Sequence, residues 1–186
     1  MKVILPNVRL SFPHLFVPQA SSDGKGEPKY NCTAIVDPES ANAKALAKAV
    51  EQVSKEKWGE KAASTLSVLR KGDKVCYREE PKVNQSGDVY SGFEGMHWVS
   101  CSDKVRPTVI DRDKSPLTSA DGKPYGGCYV NLIVDVWAQD NQHGKRINCS
   151  LKGVQFVKDG DAFSGGSAAS VDEFDVVEAV EADDLV

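Results

Sequence analysis

The side chains best suited to chemistry in this sequence are aromatic residues that have a lysine or arginine close by along the chain. Unpaired nucleic acid requires this pairing, because the cation meets a phosphate while the flat ring stacks on a base. Each stacked base contributes about 1–3 kcal/mol, so two or three such rings are enough for binding. Twelve residues form the candidate set: Arg9, Lys29, Tyr77, Arg78, Trp98, Lys104, Arg106, Tyr125, Tyr129, Trp137, Arg146 and Lys152. Together they predict a surface that binds single-stranded DNA.

Core packing is the alternative role for each ring, since aromatic side chains are mostly buried on average. Tyr30 and Phe156 are in phase with apolar neighbours and Trp58 ends a helical segment, so we expect these three in the core. Both interpretations stay open for four rings of the set: Tyr77, Trp98, Tyr129 and Trp137. Arg9 shares a strand face with polar neighbours, which favours a cation in the binding groove.

Enzyme chemistry finds little support in the sequence. The three histidines are far apart, and none has the helical spacing of a zinc site. The sequence contains no Gly-rich phosphate loop and no G-x-S-x-G nucleophile motif. Asp111 and Asp113 could hold metal ions in a nuclease-like site, but they lie in a polar loop of alternating charge. We expect no catalysis, no metal and no cofactor, with a metal-dependent DNA-processing enzyme as the alternative.

Negative charge is concentrated at the C-terminus. Residues 171–186 contain seven acids and no base: Asp172, Glu173, Asp175, Glu178, Glu181, Asp183 and Asp184. The whole chain has 23 − 27 = −4 charges, so the remainder without this segment has 23 − 20 = +3. An acidic segment with little to bury cannot offset the entropy cost of ordering, which predicts a disordered tail. Residues 161–170, rich in Gly, Ser and Ala, predict a flexible linker, and residues 1–160 predict one domain.

The acidic tail suggests a regulatory role. A tethered polyanion competes with DNA for a cationic groove and also attracts basic partner proteins. Phe174, the one aromatic residue of the tail, belongs with the seven acids to this predicted autoinhibitory and partner-binding segment. A segment that only keeps the protein in solution is the alternative.

Cysteine usage and hydropathy indicate the cellular setting. The five cysteines (Cys32, Cys76, Cys101, Cys128 and Cys149) form no C-x-x-C pair, and their odd number argues against a disulfide framework. The start of the chain does not resemble a signal peptide, and no apolar run is long enough to span a bilayer. We therefore expect reduced thiols, no membrane association and a cytoplasmic location.

Short strands separated by polar turns dominate the sequence pattern. Strand-like segments lie at residues 2–12, 29–36, 75–77, 96–100, 106–110, 128–138 and 146–157, from which we expect five or six short strands and one long hairpin. After the second segment, Asp37-Pro38-Glu39 is typical of a helix start, and apolar spacing predicts a helix that runs to Trp58 and stops at Gly59. A second helix is predicted over residues 61–69. Residues 79–92 form a polar loop that either grips DNA or simply connects two strands.

The last two strand-like segments predict a curled hairpin. The first presents an unbroken apolar face, and the second carries Arg146 and Lys152 on its outer face, beside Tyr129 and Trp137. Its apolar parity changes at Gly153, which is typical of a β-bulge that lets a strand curl round a small barrel. The predicted fold is therefore mainly β. It is an OB-fold-like small β-barrel with a helical insertion after the second strand and a disordered acidic C-terminal tail.

Five segments in order support a family resemblance: VRLSFPHLF, EPKYNCTAIV, EGMHWVSCSDKVRPTVIDRD, YGGCYVNLIVDVWAQDN and GKRINCSLKGVQFVKDGDAFSGG, followed by the acidic DEF segment. Over nearly the whole length, the chain resembles the bacteriophage single-stranded DNA-binding proteins that have an OB-fold and an acidic tail. The resemblance implies a protein that coats single strands during phage replication, recombination and repair in the host cytoplasm. It also implies a tail that contacts replication enzymes, and no metal or nucleotide cofactor.

The chain departs from the family at its C-terminus, and one functional alternative remains. Tails of this family commonly end on an aromatic residue, whereas this chain ends in Leu185-Val186. A structural β-domain with a solubilising tail is a third candidate, and it is distinguished by whether the aromatic rings beside Arg146 and Lys152 face inward. Self-association into a homo-oligomer is compatible with all three.

Overall fold

The computed structural model describes residues 1–20, 24 and 26–163. Within these ranges the chain forms β1 (Lys2–Gln19), β2 (Lys29–Val36), β3 (Tyr77–Arg78), β4 (His97–Asp103), β5 (Thr108–Ile110), β6 (Tyr129–Asn141) and β7 (Gly144–Lys158). Two α-helices, α1 (Ala41–Trp58) and α2 (Ala62–Lys71), follow β2. The predicted class, mainly β with a helical insertion after the second strand, is confirmed. The described strands number seven, in agreement with five strands and one long hairpin, which is formed by β6 and β7.

A single sheet contains all seven strands in the order β3-β4-β2-β1-β6-β7-β5. The residues 74–78, which we call the seam, close this sheet into a barrel. On one side of the seam the Cys76 amide donates to the Ile147 carbonyl of β7 at 2.9 Å. On the other side the Ser100 amide of β4 donates to the Cys76 carbonyl at 3.0 Å. The β3 end of the sheet is therefore joined to β7, the strand next to the other end, and the predicted OB-like barrel is confirmed.

A bulge in β7 produces part of the curvature. Ile133 lies opposite Gly153 while the next residue, Val134, lies opposite Leu151, so Lys152 is an extra residue in β7. The bulge predicted from the parity change at Gly153 is confirmed. An extra residue on one strand increases the local twist and bends that strand, as closure of a small barrel requires.

Alternating side chains of the strands fill the barrel. On β6, Val130, Leu132, Val134 and Val136 are fully buried, and Phe156 of β7 joins them as predicted. Burial of each such side chain contributes about 1.5–3 kcal/mol, which makes the interior the main source of stability.

Four of the five cysteines are buried in this interior, and Cys76, on the seam, is partly buried. All five are unpaired by disulfides, and the sulfur atoms of Cys101 and Cys149 lie 3.4 Å apart inside the barrel. The contact with the Cys149 thiol and burial raise the pKa of the Cys101 thiol, which keeps it protonated.

The helical insertion begins later than predicted. Asp37 caps a turn by accepting from the Glu39 amide at 2.9 Å, and Ser40 is the residue that caps α1, through its contact with the Ala43 amide at 3.2 Å. The predicted end of α1 at Gly59 is confirmed; this residue has φ 55°, a conformation that favours glycine. No helix among the described residues has the length and apolar character needed to cross a bilayer.

Strand β1 is longer and more irregular than its pattern indicates. It continues to Gln19 through two prolines, and both Asn7 and Phe12 have positive φ angles, 50° and 47°. Regular alternation along the strand predicts that Phe12 shares one face with Val8 and Leu10, and this prediction is wrong. The turned backbone moves Phe12 to the outside, where its side chain is 40% exposed, and buries Ser11 instead.

The β3–β4 loop, residues 79–96, folds over the outside of the barrel. Two aromatic residues of the loop attach it to the barrel. The Phe93 side chain is completely buried, and the Tyr90 ring meets the Phe12 ring of β1 edge-on at 5.1 Å between centroids. The Tyr90 amide donates to the Lys82 carbonyl at 3.0 Å, which brings the two arms of the loop together. This loop is therefore a packed element with its own small apolar cluster.

The residues 159–163, which we call the strap, pack back on the barrel after β7. The Arg9 guanidinium donates to the Asp161 carbonyl at 2.9 Å and lies 4.2 Å from the centre of the Phe163 ring. Gly92 and Gly127 make room for the strap, because a Cβ at Gly127 would lie 2.1 Å from the Asp161 carbonyl oxygen. Residues 161–163 of the predicted linker thus contact the body, whereas residues 164–186 lie outside the described residues.

Replacing Gly127 with alanine tests how firmly the strap is held. Gly127 has φ 111°, and its added Cβ would collide with the backbone of the strap, so we expect a loss of about 3 kcal/mol or more. This corresponds to a fall in Tm of roughly 6–12 °C for a domain of this size, measured by differential scanning calorimetry. Chymotrypsin should also cleave after Phe163 faster than in the parent protein.

Gly122→Ala is the matched control. Gly122 also has a positive φ, 65°, but no atom lies within 4 Å of its added Cβ, so only about 1–2 kcal/mol of backbone strain is expected. Equal losses of stability in the two variants would contradict the packing of the strap.

Candidate nucleic-acid interface

An open groove of about 1110 Å³ crosses the outer face of the barrel. Its floor is made by β2, β4, the seam, β7 and β6, which lie side by side in the curled sheet. Six of the twelve predicted residues line it: Lys29, Arg78, Trp98, Lys104, Trp137 and Arg146. The fold therefore brings together side chains that lie as far as 117 positions apart in the chain (146 − 29).

The charge of the groove is strongly positive compared with the body as a whole. The lining contains six cations and two acids: Lys29, Lys74, Arg78, Lys82, Lys104 and Arg146, with Glu27 and Asp73. The balance is 6 − 2 = +4, while the chain up to residue 170 has a balance of only +3. Cations concentrated along one channel attract a polyanion even when the net charge of the protein is low.

Trp137 presents the most exposed aromatic ring of the groove. It points outward from β6, opposite Asn148, and its side chain is 41% exposed. The indole Nε1 donates to the Ser150 hydroxyl at 3.1 Å, which fixes the orientation of the ring. A flat ring that is exposed and already oriented can stack on a base with little further loss of entropy.

Trp98 lies on β4 and is half-buried. Its indole Nε1 donates to the Glu80 carbonyl at 2.9 Å, so the ring is attached to the β3–β4 loop. Two cations lie over this ring: the Lys82 ammonium is 4.0 Å from its centre and the Arg78 guanidinium carbon is 5.6 Å from it. Trp98 thus combines an aromatic face with positive charge at one point of the groove.

Neutral polar side chains line the groove along with the two tryptophans. They are hydroxyls and amides on the outer faces of four strands: Asn31, Ser100, Ser102, Gln139, Asn148 and Ser150. Hydroxyl groups donate or accept by rotation, and amides offer both functions. Such a floor can hydrogen-bond any base edge, and this favours binding without sequence preference.

Tyr77 lies inside the barrel instead of in the groove. Its side chain is 4% exposed, and its hydroxyl is 2.7 Å from His97 Nδ1. Burial raises the pKa of Tyr77 to about 12, so the ring is neutral. The seam alternates between inside and outside, which sends Tyr77 inward and Arg78 outward. Of the two interpretations left open for Tyr77, the structure supports core packing.

Arg9 and Tyr125 hold the strap. The Arg9 guanidinium is occupied by the Gly127 and Asp161 carbonyls and by the Phe163 ring. The Tyr125 hydroxyl donates to an Asp159 carboxylate oxygen at 2.8 Å. Neither residue lines the groove. The prediction that Arg9 and Tyr125 bind DNA therefore receives no support from the groove and stays a prediction.

Three further candidates lie away from the groove. Tyr129 is half-buried near Arg9, with the Lys158 ammonium 4.7 Å from its ring centre. Arg106 is exposed and lies over Phe16. Lys152, the bulge residue, donates to an Asp103 carboxylate oxygen at 2.7 Å. The ribbon predicted along β6 and β7 is therefore divided, with Trp137 and Arg146 in the groove and Tyr129 outside it.

Lys74 and Lys82 line the groove but were missed by sequence reasoning. Lys74 could have been found, because it lies two and four positions before Cys76 and Arg78. In an extended segment such residues share one face, which is here the outward face. Lys82 follows a proline in an irregular loop, where no periodic pattern indicates its direction. Its position depends on how the β3–β4 loop packs on Phe12.

Asp111 and Asp113, the residues of the nuclease alternative, are engaged by neighbours in their own loop. Asp111 pairs with the Lys123 ammonium at 2.7 Å, and Asp113 accepts from the Ser115 amide and hydroxyl. These contacts lower the pKa values of both carboxyls. Within the described ranges no three carboxylate, thiol or imidazole groups are arranged to hold a metal ion. The absence of catalysis stays a prediction.

Four matches place the chain among known proteins. It is 42% identical to putative protein p50 of Acyrthosiphon pisum secondary endosymbiont phage 1, over 100% of this chain and 99% of the relative. The single-stranded DNA-binding protein of bacteriophage Enc34, in complex with single-stranded DNA, matches with a TM-score of 0.72 and 29% identity, covering 88% of this chain and 89% of the other.

Bacteriophage T7 gp2.5, a single-stranded DNA-binding protein, matches with a TM-score of 0.55 and 10% identity, covering 91% of this chain and 98% of the other, and so supports the fold alone. The family model of the Enterobacter phage Enc34 single-stranded DNA-binding protein matches residues 1–186. The chain therefore belongs to the Enc34 family of phage single-stranded DNA-binding proteins.

Proposed function

We propose that this protein binds single-stranded DNA without sequence preference in the groove between β2, β4, the seam, β7 and β6. The observation that carries the proposal is the groove itself, in which Trp98 and Trp137 present rings among six cations. Phosphates bind to the cations and bases stack on the rings, and no part of this requires a metal or a nucleotide cofactor.

Family membership supports the same substrate. The Enc34 protein forms a complex with single-stranded DNA, and the fold of the present chain matches that complex over most of its length. Coating single strands exposed during phage replication, recombination and repair is the role that suits such a protein. Its place of action is then the host cytoplasm, where the phage genome is copied. Self-association on the strand stays a prediction.

The acidic tail gives the proposal a second part, in which the tail competes with DNA for the groove and contacts basic surfaces of replication proteins. The strap ends at Phe163, after which 23 residues remain. A free chain of this length has a root-mean-square reach of about 25 Å. This reach applies to the last acids, Glu181, Asp183 and Asp184. Asp172 and Phe174 lie only 9 and 11 residues beyond Phe163 and have a shorter reach of about 17 Å, so the end of the tail is the part best placed to compete for the groove.

Trp137→Ala tests the stacking contribution. Removing the exposed ring should weaken oligo-dT binding by roughly 5- to 150-fold, because one stacked base contributes about 1–3 kcal/mol. Quenching of tryptophan fluorescence, titrated at several salt concentrations, measures the affinity. The affinity of the parent should fall as salt rises.

Tyr129→Ala is the comparison variant, because Tyr129 is an aromatic residue on the same strand but outside the groove. It should bind oligo-dT like the parent protein once an unchanged melting curve shows that it is folded. Unchanged affinity in Trp137→Ala, or no quenching and no gel shift of the parent at low salt, would contradict the proposed function.

Deleting residues 171–186 tests the tail. Loss of the competing acids should tighten oligo-dT binding several-fold at low salt and increase binding to duplex DNA relative to single strands, measured by fluorescence anisotropy. A full-length variant with the seven acids changed to Asn or Gln should behave like the deletion, since charge and not length is the cause. If both proteins bind DNA as the parent does, the tail does not compete for the groove.

A further inference from the structure

Lys82 covers the aromatic face of Trp98 in the free protein. Its ammonium is 4.0 Å from the centre of the indole ring and 5.9 Å from the centre of the Phe12 ring. The lysine is half-buried and reaches the groove from the β3–β4 loop. A base that stacks on this side of Trp98 has to displace the ammonium.

The loop backbone holds Lys82 at this point. The Glu80 carbonyl accepts from the Trp98 indole, and the Lys82 carbonyl accepts from the Tyr90 amide at 3.0 Å. Tyr90 in turn packs on Phe12, beside the buried Phe93. The backbone of Lys82 is therefore fixed on both sides, while its four-carbon side chain can still change rotamer.

The charge of Lys82 is not compensated by any carboxylate among the residues that the structure describes. Its neighbour Arg78 pairs with Asp73 and, at 3.6 Å, with Glu80, but no described acid lies within 4 Å of the Lys82 ammonium. Burial and the nearby Arg78 charge lower the pKa of Lys82. A half-buried cation that is repelled by a second cation is stabilised by an incoming anion.

We propose that Lys82 is a phosphate-binding residue that shields Trp98 until a strand arrives. The inference rests on the proposed function and adds a step to it. A backbone phosphate draws the ammonium off the indole, and the ring face that is uncovered receives a base. The attraction between cation and ring is thereby exchanged for a contact with phosphate and a stacked base.

The salt dependence of oligo-dT binding tests the phosphate contact. Each phosphate neutralised on a single strand contributes about −0.7 to the slope of log K against log salt. Lys82→Met keeps the apolar stem and removes the charge, so the slope should become shallower by about 0.7 and affinity at 0.1 M salt should fall about five-fold. Lys82→Arg should restore the parent slope. Lys48→Met, which removes an exposed lysine of α1, should leave the slope unchanged.

Acrylamide quenching of Trp98 tests the shielding. The experiment uses a protein in which Trp58 and Trp137 are changed to Phe, so that Trp98 is the only emitter. An abasic oligonucleotide supplies phosphates without bases and should increase quenching by acrylamide, because Lys82 leaves the ring and nothing replaces it. Oligo-dT should decrease it, because a base then covers the ring.

The possible failures can be told apart. If the parent protein does not bind oligo-dT, the proposed function fails. If the parent binds but Lys82→Met has the same salt slope, or the abasic strand leaves Trp98 as shielded as before, the inference about Lys82 is overturned while the proposed function remains.

Discussion

Closure of the barrel by the seam is the constraint on which the groove depends. Residues 74–78 are hydrogen-bonded to β4 on one side and to β7 on the other, so the outer faces of these strands form one continuous floor. Alternation along the seam sends Val75 and Tyr77 into the core and turns Lys74 and Arg78 toward the groove. The same backbone therefore stabilises the barrel and supplies part of its positive surface.

The β3–β4 loop connects the groove with the C-terminal strap. At one end it provides Lys82 and the carbonyl that holds Trp98, and at the other end Gly92 lies against the Phe163 ring. Phe93, buried between these ends, fastens the loop to the outside of β1. Phe163, the last residue of the strap, is thus attached to the element that covers one wall of the groove.

Sequence periodicity predicted the barrel, the helical insertion and the bulge at Gly153, because all three depend on local patterns of burial and turn chemistry. It failed where the backbone departs from regular geometry, as at Phe12, whose positive φ reverses the parity of β1. Nearness in sequence was also a poor guide to nearness in space. Arg9 and Tyr125, which the sequence assigns to the DNA-binding set, contact a strap that is distant along the chain, and the position of Lys82 depends on loop packing that no sequence pattern indicates.

The central claim is that Trp98 and Trp137 meet the bases while Trp58, whose indole donates to Asp140 at 2.7 Å and lies outside the groove, does not. The three tryptophans give three indole N–H signals in a ¹H–¹⁵N NMR spectrum, which makes the claim directly measurable. On titration with oligo-dT, we predict that the signals of Trp98 and Trp137 shift and that the Trp58 signal stays in place. A shift of Trp58 alone, or three unchanged signals in a protein that binds the oligonucleotide, would contradict the assignment of this groove to DNA.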